Sequence, residues 1–238
     1  MFQTDPFSLI VLFVGLSLLP FVAMVATSYL KIVVVMSLIR NALGIQSIPP
    51  NMVINALAMI LTFYIMAPIM SESWTVAKDE LNRAAAQQKA NNATSKPLNR
   101  QNAGSPNYFF DTDAVAKAAE PFRRFLSEHT AARERVFFIS TAETLWGKDG
   151  EPATVDPESF YILLPSFCVS ELTKAFQIGF LVYLPFIAID IIVSNILLAM
   201  GMMMVSPVTI SLPFKLLLFV MVNGWTLLIQ GLVRGYLL

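Results

Sequence analysis

The sequence predicts an all-α membrane protein, with two long apolar helical-hairpin blocks flanking a small polar, mainly helical insert. Three observations carry this reading. Of the 238 residues, 56% are hydrophobic and only 13% are charged, where an ordinary soluble domain has about a quarter charged. The charges are also segregated: residues 71–158 hold 13 of the 16 acids and 11 of the 16 bases. The remaining 150 residues carry only Asp5, Lys31, Arg40, Glu171, Lys174, Asp190, Lys215 and Arg234. Finally, the uninterrupted apolar runs are long enough to cross a hydrocarbon core of about 30 Å. Three segments result: an N-terminal hairpin block (1–70), an extra-membrane insert (71–158) and a C-terminal block (159–238).

Taken in order, Phe7–Leu30 is a 24-residue apolar run, sufficient for one span. The next stretch, "KIVVVMSLIRNALGIQSIPPN", has two bases and no acid, and its Pro49-Pro50 pair suits a turn and the start of a new helix. Met52–Met70 is the second span. In the insert, Asn82–Asn107 is polar and lacks aromatics, which predicts a mobile loop. Val115, Ala119, Phe122 and Leu126 then recur at helical spacing, and a second apolar group runs from Val136 to Trp146, predicting a small helical hairpin. Phe160–Met204 as one helix would reach about 65 Å, roughly twice a bilayer core, so a break or bend is expected, with Pro185 the candidate. Ser211 and Pro213 read as the start of a last apolar helix, Phe214–Leu238. If each block is a hairpin, the loops carrying Lys31, Arg40 and Lys215 share one side, and the bases of the Tyr29–Gly44 segment snorkel to the interface. The positive-inside tendency puts that side in the cytoplasm, with the insert and both termini outside.

Composition and motifs argue against several functions. The formal net charge of zero offers no case for a nucleic-acid partner. Cys168 is alone, so no intrachain disulfide forms. "MFQTDPFSLI" has no base and contains Asp5, unlike the basic opening of a signal peptide, so the first apolar run is expected to be retained. The single histidine, His129, lies in a polar stretch without a metal-ligand partner nearby, and no nucleotide-binding loop of the G-x-x-x-x-G-K-[ST] kind occurs. The expectation is a non-enzymatic protein that needs no cofactor and no metal.

Polar groups inside the apolar blocks are the first candidates for function. Ser170, Lys174 and Gln177 fall at i, i+4 and i+7, with Glu171 three residues before Lys174, forming a polar stripe on an apolar helix. Asp190 repeats the theme, with Ser194 one turn on. Such groups are costly to bury alone; they pair, face water or mark a transport path. A structural ion pair between Glu171 and Lys174 that sets helix register is one reading, and a proton relay is the other.

Methionines form the second candidate. Of twelve in the chain, Met200, Met202, Met203 and Met204 lie within five residues, around Gly201. Such a cluster is ordinarily gap-filling core. Here, though, a dry core has little need for four flexible side chains, and "MGMMMVSP" is an expected helix break. Within membrane proteins, non-helical backbone is tolerated where it is buried in protein or lines a water-filled cavity. Thioether side chains close a gap by dispersion contacts and repack when something passes, as a gasket does.

These residues also carry a resemblance. "SLIRNALGIQSIPPN" (Ser37–Asn51), the long stretch Pro165–Phe219 and "NGW" (Asn223–Trp225) resemble the SctR/FliP family of type III secretion export-gate proteins. The resemblance implies a pore-forming core subunit in the bacterial inner membrane. It implies about five copies in a helical ring with SctS-like and SctT-like subunits, with SctU-like and SctV-like components nearby and secreted unfolded proteins as cargo. It implies that Met200 and Met202–Met204 form the constriction, and that the apolar helices are largely covered by other subunits in a core raised to the periplasmic side. Two features depart from the family pattern: Asn223 stands where relatives usually have aspartate, and the Asn82–Asn107 stretch is long. The absence of a signal peptide resembles injectisome members more than flagellar ones. Glu171, Lys174 and Asp190 are assigned to helix register and subunit contacts. The rival reading is a small ion- or proton-coupled transporter working through the same three residues.

Overall fold

The computed structural model describes residues 6–45, 48–94, 112–147 and 153–237. Those residues form α1 (Pro6–Val25), α2 (Tyr29–Ala42), α3 (Asn51–Thr94), α4 (Thr112–His129), α5 (Ala132–Trp146), α6 (Phe160–Ala199), α7 (Pro207–Met221) and α8 (Gly224–Arg234). No strand occurs among the described residues. Asn51–Glu80 and Phe160–Ala199 are each long and apolar enough to cross a membrane. Two bent pairs would add to these if each is one span: Phe13–Val25 with Tyr29–Ala42, bent by 56°, and Pro207–Met221 with Gly224–Arg234, bent by 59°.

Two compact units emerge, residues 1–65 with 129–238, and residues 66–128. In the larger unit α2 packs along α6, with α5 and α7 also against α6. The core is aliphatic and aromatic: Ile32, Val35, Met36 and Ile39 from α2, Ile54 and Ala58 from the start of α3, Ala175 and Phe186 from α6, Phe219 from α7, and Leu228 and Leu232 from α8. The α2 positions follow the i, i+3, i+4, i+7 period, so one stripe of a short helix is buried while its other faces are not. Arg40 holds the α2–α3 connection by donating to the carbonyl of Pro49 at 3.4 Å and to the side chain of Asn51. The smaller unit comprises the second part of α3 and most of α4. Met66, Phe125 and Leu126 are buried, and its surface carries ion pairs Arg124–Glu72 (2.6 Å), Arg83–Glu80 (2.7 Å) and Lys117–Glu80 (3.3 Å).

Several sequence expectations are corrected. Helix α6 is not broken at Pro185: it runs 40 residues through both Pro165 and Pro185. Each proline forfeits one backbone hydrogen bond, and a long cooperative helix absorbs that loss. The expected loop from Asn82 is helical as far as Thr94, because Ala, Gln, Lys and Arg propagate a helix already nucleated. Residues 95–107 of that stretch lie outside the described residues. The last apolar segment begins at Pro207 rather than at Ser211 or Pro213, with Pro207 in the first turn, where a missing N–H costs nothing. It is also two helices, not one. The insert helices α4 and α5 both form, with most of α4 in the smaller unit and α5 in the larger.

The split between α7 and α8 explains the "NGW" motif. Asn223 sits at φ 51°, ψ 46°, the left-handed region, and its N–H bonds the carbonyl of Val220 at 3.0 Å, ending α7. Asparagine and aspartate are the non-glycine residues most at ease there. A Cβ on Gly224 would lie 2.3 Å from the ring of Phe219, so only glycine fits without displacing that ring. Trp225 meets the same ring edge-on, centroids 5.5 Å apart. This triplet is a turn that packs, and the departure Asn223 keeps the backbone conformation that aspartate would also adopt.

Candidate functional site

Glu171 is fully buried in α6 and gathers three donors from three parts of the chain. Lys31 of α2 lies 3.1 Å from Oε2 and is 3% exposed, while Lys174, one turn along α6, lies 3.1 Å from Oε1. The Tyr236 hydroxyl also donates to Oε2. Lys31 in addition stands 3.4 Å over the centre of the Tyr236 ring, which recovers part of the ammonium's lost hydration by cation–π attraction. Lys174 donates to the carbonyl of His129 at 2.7 Å, and Ser170 accepts from the N–H of Ala131 at 2.9 Å. Burial, then the Glu171 carboxylate, raise the Tyr236 phenol above its ordinary range, so it stays a donor. One carboxylate thus ties α2, α6 and the segment after α8 together.

The second centre is Asp190, nineteen residues further along α6. Lys215 of α7 lies 2.6 Å from Oδ2, and the Ser211 hydroxyl donates to Oδ1 at 2.5 Å. Lys215 also donates to the carbonyl of Ala42 at 3.3 Å, the last residue of α2, where a helix leaves carbonyls unpaired and its dipole is negative. Asp190 remains 33% exposed while Lys215 is 4% exposed.

These centres correct the placement of two bases. Neither Lys31 nor Lys215 sits in a loop, and Lys31 does not snorkel; both are buried in helices, because each has a carboxylate within reach. The positive-inside argument therefore loses two of its three charges. The sequence reading paired Glu171 with Lys174 and missed Lys31, Tyr236, Ser211 and Lys215. Charge balance was the available signal, since the two acids of the C-terminal block need cationic partners and the apolar segments offer few. Nothing marked Tyr236.

Helix α6 ends in the methionine loop. The N–H of Gly201 bonds the carbonyl of Leu198 and that of Met202 bonds the carbonyl of Leu197, both at 3.0 Å, the paired closure of a helix by a left-handed residue. Gly201 supplies that residue at φ 73°, a conformation other side chains rarely adopt. The chain then turns through Met203 and Met204 before Ser206 and Pro207 open α7. Met200 is 66% exposed, Met202 41%, Met203 81% and Met204 fully exposed. All four are presented at one point by two flanking helices.

An apolar cavity of about 500 Å³ lies among α6, α7 and α8, lined by Ile178, Val182, Phe186, Phe219, Leu228 and Leu232 among others, with no ionisable side chain. No group of His, Cys, Asp and Glu suited to a metal ion occurs among the described residues.

Long apolar helices, buried ion pairs and an exposed loop define a membrane-associated helical protein rather than a soluble domain. The chain belongs to the FliP family, whose match covers residues 12–232. It is 49% identical over 232 residues to "Yop proteins translocation protein R" of Yersinia pestis, covering 98% of this chain and 97% of that one. It is 46% identical to "Hypersensitivity response secretion protein HrcR" of Ralstonia nicotianae, covering 96% of each. It is 37% identical to "Flagellar biosynthetic protein FliP" of Bacillus subtilis, covering 96% and 90%.

Proposed function

We propose that this chain, a subunit of a type III secretion export apparatus, lines the export channel and closes it with the Met200–Met204 loop. The observation that carries the proposal is a mismatch of length and cover. Helix α6 has 40 residues, about 60 Å, twice the thickness of a hydrocarbon core, yet only 11% of its most apolar window is buried within the chain. Beyond Gly179 only Phe186 and Leu197 of α6 are buried within the chain, and further copies and other export subunits would cover that half. A ring of about five copies, with SctS-like and SctT-like partners and SctU-like and SctV-like neighbours, supplies that cover. One chain is too small to enclose a passage for an unfolded polypeptide. In a ring, the exposed methionines of each copy meet near the axis, sealing by dispersion contacts and deforming around cargo.

In this reading the protein makes and breaks no bond, and energy comes from other components. The ring sits in the bacterial inner membrane with its core raised toward the periplasm. Glu171, Lys174 and Asp190 act as register groups: full burial of Glu171 between two cations suits a fixed pair better than a proton relay.

Native mass spectrometry of the chain expressed with and without its small partners tests the ring. About five copies, enlarged by the partners, is the expected species; a monomer or dimer indifferent to partners would overturn it. Conductance of the reconstituted complex tests the seal. Replacing Met202–Met204 by alanine should raise ion leak with assembly intact, and an unchanged leak would remove the methionines from the constriction. If the chain is instead a proton-coupled transporter, Glu171→Gln will abolish coupled flux while assembly persists.

A further inference from the structure

We propose that the methionine loop is a modification site for small peroxides, and that sulfoxidation there opens the seal; the second half of this inference rests on the channel reading above. Exposed thioethers are not confined to the loop, since Met52 is 82% and Met221 72% exposed in the single chain. Those two lie on apolar helices α3 and α7, which lipid or neighbouring subunits cover in the assembly. Met203 and Met204 differ in standing on a turn outside any helix, 81% and 100% exposed, and in the channel reading their outer edges border the water on either side of the seal. Met36 and Met66, at 0% and 2% exposed, are internal controls.

The chemistry follows from the thioether. A sulfur lone pair of Met203 or Met204 attacks one oxygen of hydrogen peroxide; the S–O bond forms, the O–O bond breaks and water leaves. Sulfur is oxidised by two electrons and the peroxide is reduced. The product is a polar, chiral sulfoxide with a strong acceptor oxygen. A ring of methionines seals because it offers water nothing to bond; each sulfoxide supplies an acceptor that holds water where dispersion contacts stood. The change is reversible by methionine sulfoxide reductases, so the loop is a switchable element.

The experiment uses the assembled complex in liposomes, dilute hydrogen peroxide, peptide mapping over time and potassium efflux from the same samples. Met203 and Met204 should gain oxygen about tenfold faster than Met36 and Met66, and faster than Met52 and Met221. Efflux should rise severalfold in step with loop oxidation, and fall back after treatment with a sulfoxide reductase. A variant with Met200, Met202, Met203 and Met204 all changed to leucine keeps the apolar volume and has no thioether in the loop, so peroxide should not change its efflux from that variant's own starting level. Equal oxidation rates at loop and buried methionines would overturn the site. Loop oxidation without added efflux would overturn the switch, and if Met202–Met204→Ala raises leak in the same liposomes, the channel reading survives that failure. Should the leucine variant not assemble, reductase reversal on the unaltered complex still decides.

Discussion

Helix α6 contrasts with the loop that ends it. Around Glu171 every polar atom that matters is matched, with two ammonium groups and a phenol on one carboxylate at 0% exposure. Thirty residues on, the side chains of Met203 and Met204 stand almost free. Ionic groups in a low-dielectric interior have one good arrangement and a steep penalty for any other, so they hold helices in place. Thioethers on a turn have many arrangements of similar energy. The same helix therefore combines a rigid anchor with a deformable tip, which suits the proposed seal, since that must yield without the proposed ring coming apart.

The sharpest way to break this contrast is to remove the carboxylate. Glu171→Gln leaves Lys31 buried without its counter-charge and should destabilise the detergent-purified complex by about 3–5 kcal/mol, read as a drop in thermal midpoint. The double change Glu171→Leu with Lys31→Met should recover most of that, because replacing both partners of a buried pair is often neutral. Tyr236 adds a pH check. Its folded value is raised above the unfolded value of about 10, so its contribution is whole below that pH and falls only above it; the melting midpoint should show no tyrosine titration between about pH 7 and 9.

A smaller loss is expected at the second centre. Lys215→Met strands Asp190, but that carboxylate is a third exposed and can recruit water, so about 2 kcal/mol is expected by the same melt. Next comes the α7–α8 turn. Asn223→Ala should cost about 1–2 kcal/mol for the left-handed conformation, whereas Asn223→Asp should stay within about 0.5 kcal/mol. A large effect of the aspartate would mean that residue 223 acts through charge and not conformation. The smallest effect on stability belongs to the loop: Met202–Met204→Ala should shift the midpoint by less than about 0.5 kcal/mol equivalent while altering conductance, and a collapse of the fold would show that these side chains are core.

Much of this was legible in advance. Segregated charge and long apolar runs forecast the helices, Gly201 among methionines forecast the end of α6, and Glu171 with Lys174 forecast a polar stripe. The failures share a cause. Pro185 looked like the place for a break or bend because a proline is locally unfavourable, and the forty-residue ladder carries the helix through it without a break. Asn82–Thr94 looked like loop because it is polar and offers little apolar surface, yet its residues extend a helix begun at Asn51. Lys31 and Lys215 looked interfacial because isolated bases in apolar segments usually are.

Local chemistry, then, was enough to determine that the chain is helical and membrane-associated, and that it leaves the helix somewhere in the stretch Met200–Pro207. These depend on backbone propensity, hydropathy and the φ that glycine permits. Which acid meets which base was settled only when α2, α6, α7 and the segment around Tyr236 came together. Lys31 and Glu171 are 140 positions apart, and no spacing rule links them. Burial makes that partnership obligatory, and burial is a property of the packed chain.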